Sequence, residues 1–521
     1  MERLGRLALF APAFVLACAT SKPPAPAAAA AGAATPRPSA AVSETGTPDA
    51  PFRQALPEPG DPVVFKAPVP SVHALKNGLP VWIVEQHELP LATVELVVRA
   101  GEDTDPSGKP GTASFVADML DEGTTLRDAL AIAAAFEDQA ALFRSQADKD
   151  SLIAAVSFPA ASLSPVLDVF SDCVLRPAFK KADLERVRAL RLGDLAQLEA
   201  DPAQIGRTVL NRTVFGEGHP WAFPTTGTVA STRAARGDQL AAWHKAWVRP
   251  NNAVLVVVGD VTPAKLLPEL ERRFGGWKAA QLPKRRSLAP VARKGPRVVT
   301  VVDRPGAAQS QLWLGELGLS AGSTDLYAAQ VASQVLGGGF KSRLNANLRS
   351  GKGYTYGAFS AFDVRREPGL FAAIAPVVAN KTPEALQELL GEIDRLREGG
   401  VDASELADAK SGLIQSLPAE FGSTTTTALA FGKLVALGRP PDYFASYPEK
   451  LAAVSREDVA KASRARFDTK SLAIVVVGPL AELRPRLESL GLGSIALRDA
   501  TGEAVKATRA VKSGKTEAGK N

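Results

Sequence analysis

Side chains that commonly carry hydrolytic, redox or metal chemistry are scarce in this chain of 521 residues, which holds four histidines and two cysteines. A zinc site built on one helix needs two imidazoles a turn apart on the same face. His73, His87, His219 and His244 contain no pair at i, i+4. His219 lies in a loop and His244 on an amphipathic helix, where satisfied structural roles are expected. Two cysteines cannot build a disulfide framework. Cys173 falls within the apolar helical pattern Val166–Leu175 and reads as inert core. No other pairing of nucleophile and base is visible.

Residues 111–124 read GTASFVADMLDEGT. This segment closely resembles the zinc-site helix of the pitrilysin/insulinase family, the inverzincins, whose pattern is G-x-A-H-F-x-E-H-M-L-x-x-G-T. Arg99-Ala100-Gly101 and Asp105-Pro106 lead into it as in that family. Glu217-Gly218-His219-Pro220, Gly227-Thr228 and Arg249-Pro250-Asn251-Asn252 extend the resemblance, which covers residues 70–485. At the positions of the two zinc-binding His and the Glu base stand Ser114, Asp118 and Ala117 respectively. The family's third ligand, a Glu farther downstream, falls near Asp194 by spacing to Asp201-Pro202. Two carboxylates and a hydroxyl suit a hard cation weakly, and Ala117 cannot activate a water. The expectation is therefore no metal on this chain and no peptide hydrolysis by it alone.

The second half carries Gly337-Gly338-Gly339-Phe340, then Ser342-Arg343-Leu344, and then LRSGKGYTY over 348–356. This is similar to the family's S-R-L-x-x-x-L-R-x-x-x-G-x-x-Y segment. In active members an Arg and a Tyr seven residues later close over the zinc site from the opposite domain. Arg349 and Tyr356 have that spacing, whereas Tyr354 is only five residues from Arg349. A phenol and a guanidinium can donate to the oxyanion that develops when a peptide carbonyl is attacked. Outside such a motif, an Arg at a helix end and a strand Tyr are ordinary structural residues.

The resemblance points to the processing-peptidase-like branch, in which one chain carries the zinc motif and its partner carries the Arg/Tyr pair. It implies a zinc-bearing homologous subunit as partner, zinc only there, and peptides as substrate. Arg349 and Tyr356 would act in trans, with the Gly337–Phe340 loop near the substrate path. The alternative is a peptide-binding or scaffolding lipoprotein with no part in hydrolysis.

The elements that position these residues read as two copies of one plan. Asn77-Gly78 between two apolar runs predicts a hairpin. Thr93–Ala100 and Ala253–Asp260 read as strands, with helical patterns between them at 111–120, 126–138, 163–175, 181–199, 203–214 and 237–247. Gln309–Glu316 and Leu472–Gly478 repeat the two strands, with helices at 324–336 and 341–350, a hairpin over 354–377 and further helices through 382–466. The expected fold is α+β: two homologous α/β clamshell halves, over 63–281 and 299–485, each a mainly antiparallel sheet with helices packed on one side.

Composition agrees: 45% hydrophobic and 22% charged residues exclude a wholly disordered chain and a polytopic membrane protein. A basic start, an apolar run over 7–17 and Val15-Leu16-Ala17-Cys18 resemble a bacterial lipoprotein signal over 1–18, with Cys18 acylated. The Ala19 that follows suggests the outer membrane, on the periplasmic side of the envelope. An Ala/Pro-rich spacer over 19–62 follows. Leu282–Val298 carries six basic residues and no acid, equal to the net charge of +6, and is expected to be a solvated linker. Without interleaved aromatics it does not suggest nucleic acid. A flexible basic tail is expected over 486–521.

Overall fold

Residues 64–288 and 297–505 are described by a computed structural model. The first half runs β1 (Ser71–Ala74), β2 (Pro80–Glu85), β3 (Leu91–Val98), α1 (Thr112–Asp118), α2 (Ala129–Glu137), β4 (Leu142–Ala147), β5 (Leu152–Pro159), α3 (Leu163–Leu175), α4 (Lys181–Ala200), α5 (Pro202–Phe215), α6 (Val229–Ala234), α7 (Gly237–Trp247), β6 (Ala253–Gly259) and α8 (Pro263–Phe274). The second half runs β7 (Val298–Asp303), β8 (Gln309–Leu317), α9 (Leu326–Ser333), β9 (Phe359–Asp363), β10 (Leu370–Val378), α10 (Thr382–Gly399), α11 (Ala403–Ser416), α12 (Thr424–Leu437), α13 (Tyr443–Ala452), α14 (Arg456–Arg466), β11 (Ala473–Gly478), α15 (Leu480–Ser489) and β12 (Ser494–Arg498).

Each half forms a six-stranded, mainly antiparallel sheet, ordered β1-β2-β6-β3-β5-β4 and β12-β7-β11-β8-β10-β9. The internal repeat holds over five positions and breaks at the first. There β1 is the antiparallel arm of the Asn77-Gly78 hairpin, whereas β12 returns from the C-terminal end and pairs parallel to β7. The two valine-rich strands, β6 and β11, are buried along their whole length at the sheet centres. Such continuous apolar runs require cover on both faces.

One face of each sheet is covered by its own half. Val81, Leu96 and Leu255 pack with α1, α3 and α7, and Leu312, Phe371 and Val476 pack with α9, α10 and α14. The other face is covered by a helix from the opposite half. Phe431, Leu434 and Val435 of α12 lie on Trp82, Val97, Val256 and Val258 of the first sheet. Ile205, Val209 and Leu210 of α5 lie on Val302, Trp313, Val475 and Val477 of the second. The exchange is symmetrical in detail. Glu95 is opposite Val256 in the first sheet and Trp313 is opposite Val475 in the second. Each meets a glycine of the exchanged helix: a Cβ on Gly432 would lie 1.8 Å from the Glu95 carboxylate, and one on Gly206 would lie 2.3 Å from the Trp313 indole.

Glu95 is fully buried and neither carboxylate oxygen has a hydrogen-bond partner. Burial pushes its carboxyl up to about 8, so it is a neutral acid at pH 7. The native chain thus keeps a proton that the unfolded chain releases. Its stabilising contribution is complete below the ordinary glutamate range and is lost as pH climbs to about 8. Glu95→Gln is expected to flatten the fall of unfolding free energy across this window by up to about 1.4 kcal/mol per pH unit. Denaturant midpoints at several pH values read it directly, and an unchanged slope refutes the assignment.

The halves also meet at two hairpin tips. Lys149 Nζ donates to Asp363 at 2.9 Å, Arg365 Nη1 to Asp148 at 2.8 Å and Arg366 Nη2 to Asp103 at 2.7 Å. Burial alone would raise the Asp363 carboxyl, but Lys149 and Arg365 overcome it and hold it below the usual range. Two expectations are corrected in this region. The basic linker is not merely solvated, because Arg285 is drawn to the same Asp103, bonds the Arg99 carbonyl, and lies 5.3 Å from the Trp247 ring. The segment after 485 is not all tail. β12 gains order from its ladder with β7, and Arg212 Nη1 then holds the Thr501 carbonyl at 2.9 Å. Cys18, the signal over 1–18, the spacer over 19–62 and residues 506–521 lie outside the described residues.

Candidate functional site

The start of α1 is built as the motif demands although its ligands are gone. Gly111 has φ +83°, and a Cβ there would lie 2.5 Å from the Thr226 carbonyl. The Asp105 carboxylate accepts from the Gly111 and Ala113 amides at 2.7 and 2.8 Å, satisfying the free N–H groups of the helix end. Ser114 and Asp118, a turn apart, therefore face the same way. The Ala117 carbonyl accepts from Ser145 Oγ of β4 at 2.7 Å, tying the helix to the edge strand of its sheet.

The third corner is Arg191, and the expectation of Asp194 is corrected. The buried stripe of α4 is Leu184, Val187, Arg191 and Leu195; Asp194 falls off it and is exposed. Arg191 Nη1 donates to Ser114 Oγ at 2.9 Å and to the Asp118 carboxylate. Nη2 donates to the Thr226 carbonyl at 2.5 Å and the Gly111 carbonyl at 3.3 Å. The guanidinium lies 4.5 Å from the Phe115 ring, and the side chain is 3% exposed. A permanently charged group with donors and no acceptor joins both ligand positions of α1. These residues do not fit zinc. Among the described residues no cluster of three His, Cys, Asp or Glu is arranged to hold a metal. One signal was present in the sequence: a lone Arg on an otherwise apolar helical stripe.

Restoring α1 alone, by Ser114→His, Ala117→Glu and Asp118→His, is expected to leave the chain without stoichiometric zinc, because Arg191 remains. Adding Arg191→Glu should then create one-to-one binding that survives gel filtration and is measurable by chelator competition. Tight zinc binding by the unaltered chain would overturn the reading of Ser114, Ala117 and Asp118.

His219 and His244 are structural. His244 Nε2 bonds the Val174 carbonyl at 2.8 Å, and His219 Nδ1 accepts the Trp221 amide at 3.1 Å while stacking on Phe215. Burial lowers both to about 4, so both are neutral at pH 7.

In the second half, α9 passes into a π-helical turn at Gln334–Gly338, and another π-helical turn, Asn345–Gly351, carries Arg349. Between them Phe340 is 66% exposed. The Arg349 guanidinium lies 3.9 Å from the Phe340 ring centre, so the glycine loop and the arginine form one unit. Asn345 staples that unit to the start of β9: it donates to the Gly339 carbonyl at 3.0 Å and the Ala358 carbonyl at 2.8 Å, and accepts the Ala358 amide. Asn345 is a positioning residue that motif spacing does not single out. Tyr356 is 81% exposed on a short loop, which Thr355 Oγ1 fastens to the Gly357 and Pro376 carbonyls. Tyr354 packs instead against the second core, with Lys381 over its ring.

Two family models match the chain: "Insulinase (Peptidase family M16)" over residues 81–221 and "Peptidase M16 inactive domain" over 235–413. An uncharacterized zinc protease of Bacillus subtilis is 21% identical over 407 residues, covering 78% of this chain and 98% of that protein. Another from Streptomyces coelicolor is 23% identical over 396 residues, covering 75% and 85%. Among solved structures, a peptidase M16 inactive domain from Pseudomonas fluorescens has a TM-score of 0.71 at 25% identity, covering 79% of this chain and 98% of that one. A protease from Helicobacter pylori has a TM-score of 0.73 at 20% identity, covering 79% and 100%. The fold and the site together define a peptidase-type chain with a dismantled metal centre. The chain belongs to the M16 insulinase/pitrilysin family and lacks the zinc ligands and base of its active members.

Proposed function

We propose that this chain is the noncatalytic subunit of a heteromeric zinc metalloendopeptidase in the periplasm. It binds and positions peptides for a homologous partner that carries zinc and the base. An acylated Cys18 and the Ala/Pro-rich spacer would hold it at the outer membrane. The observation that carries the reading is the contrast between the two halves. In the first, the zinc corner is filled by Arg191, bonded to Ser114 and Asp118. In the second, the Tyr356 phenol stands exposed, and the Arg349 guanidinium makes no hydrogen bond or ion pair among the described residues. Groups whose polar atoms make no internal hydrogen bond are available to substrate.

Co-expression with an H-x-x-E-H homologue encoded nearby tests the reading. The mixture should cleave peptides that this chain alone leaves intact. Copurification with no zinc-bearing homologue, or turnover indifferent to both Arg349→Ala and Tyr356→Phe, sinks it. A peptide-binding scaffold would also keep these side chains free; it predicts peptide binding without turnover in every mixture.

A further inference from the structure

From 326 to 362 the sequence contains Lys341, Arg343, Arg349 and Lys352, and neither Asp nor Glu. Two of these cations are neutralised from α10 and α11. Lys352 meets Glu388 at 2.9 Å, and Arg343 meets Glu405 through two bonds of 2.7 Å. Lys341 and Arg349 have no ion pair or side-chain hydrogen bond among the described residues, and Lys341 is exposed. Three aromatic side chains of the same stretch are open to solvent: Phe340, which Arg349 contacts, and Tyr356 and Phe359, at 66%, 81% and 47%.

We infer that the surface formed by Phe340, Lys341, Arg349 and Tyr356 selects acidic segments of extended peptides, in which a carboxylate side chain neighbours an apolar one. This rests on the reading above that the Arg349 surface meets peptide. A guanidinium stacked on a ring keeps its in-plane N–H groups free and its rotamer fixed, so a carboxylate can be met by two parallel bonds with little further ordering. Lys341 adds a second positive charge of freer geometry. The exposed rings supply apolar area for the adjoining side chain. The 37 residues over 326–362 contain no acid, and the neighbouring carboxylates of Glu388, Glu392 and Glu405 are already engaged by Lys352, Arg395 and Arg343, which lowers repulsion toward an incoming carboxylate.

The test is fluorescence anisotropy on the full-length chain, using a labelled peptide with a Glu-Phe-Glu core and its Gln-Phe-Gln counterpart. The acidic peptide should bind about tenfold more tightly, the size of one charge-assisted hydrogen-bond pair. That preference should vanish in Arg349→Gln and weaken in Phe340→Ala, while Arg349→Lys retains part of it. Equal binding of the two peptides, or a preference that survives Arg349→Gln, overturns the inference. So does displacement of the acidic peptide by a single-stranded oligonucleotide at lower concentration, since cations among aromatic rings also suit nucleic acid. A thermal melt of Arg349→Gln matching the unaltered chain separates lost recognition from lost fold. Acid preference without turnover in any mixture leaves this inference standing and removes the proteolytic role. Arg349-dependent turnover without acid preference does the reverse.

Discussion

In a mixture with a zinc-bearing homologue, the proposed division of labour predicts that Arg349→Ala lowers kcat on the order of a hundredfold or more on a peptide without acidic residues, with little change in KM. Groups that donate to a developing oxyanion act chiefly in the transition state, and deleting one such donor costs about 10²–10³ in kcat. Nothing internal should mask the effect. The Arg349 guanidinium touches the Phe340 ring and holds up no carboxylate, so its removal leaves no orphaned charge in the fold. Tyr356→Phe is cleaner still, because an 81% exposed side chain loses only its hydroxyl. It should lower kcat at least about tenfold with an unchanged melting temperature. If Arg349→Ala raised KM alone, the residue would be a ground-state clamp. If neither substitution changed turnover, the pair would be a remnant.

The second large effect concerns the corner that Arg191 fills. Arg191→Ala should destabilise the chain by about 3 kcal/mol. That is the lower end of what breaking a buried ion pair costs, since Asp118 is 24% exposed. Two further bonds go with it, to the carbonyls of Gly111 and Thr226. Replacing both charges by apolar groups, Arg191→Leu with Asp118→Leu, should recover part of the loss, because the buried ion pair is removed as a unit while the bonds to the two carbonyls stay lost. Urea midpoints of the single and double variants measure this coupling. An Arg191→Ala midpoint within experimental error of the parent would show that the guanidinium merely fills space.

These two corners differ in how far they could be read from the sequence. Arg349 and Tyr356 follow from spacing within one short segment, as do the Asn77-Gly78 hairpin and the strands Ala253–Gly259 and Ala473–Gly478. Their signals are local. Arg191 depends on the phase of α4 against α1, a long-range relation that spacing along the chain gives only to within a turn. That is why Asp194 stood in its place. β4 was missed because it is an edge strand carrying Arg144, Ser145 and Gln146, and β12 because its order comes from pairing with β7. The apolar faces of α5 and α12 were legible, but nothing in their periodicity says that each lies on the sheet of the other half.

That crosswise cover has a consequence for how the protein comes into being. A first half expressed alone would leave Trp82, Val97, Val256 and Val258 bare, and a second half alone would leave Trp313, Val475 and Val477 bare. Neither is a self-sufficient folding unit. Two severed fragments should each aggregate, yet recover native structure when refolded together. During synthesis the first sheet, complete at Gly259, must wait for about a third of the chain to follow before α12 arrives, so chaperones would meet this protein as one late-closing set of contacts rather than as two beads on a string.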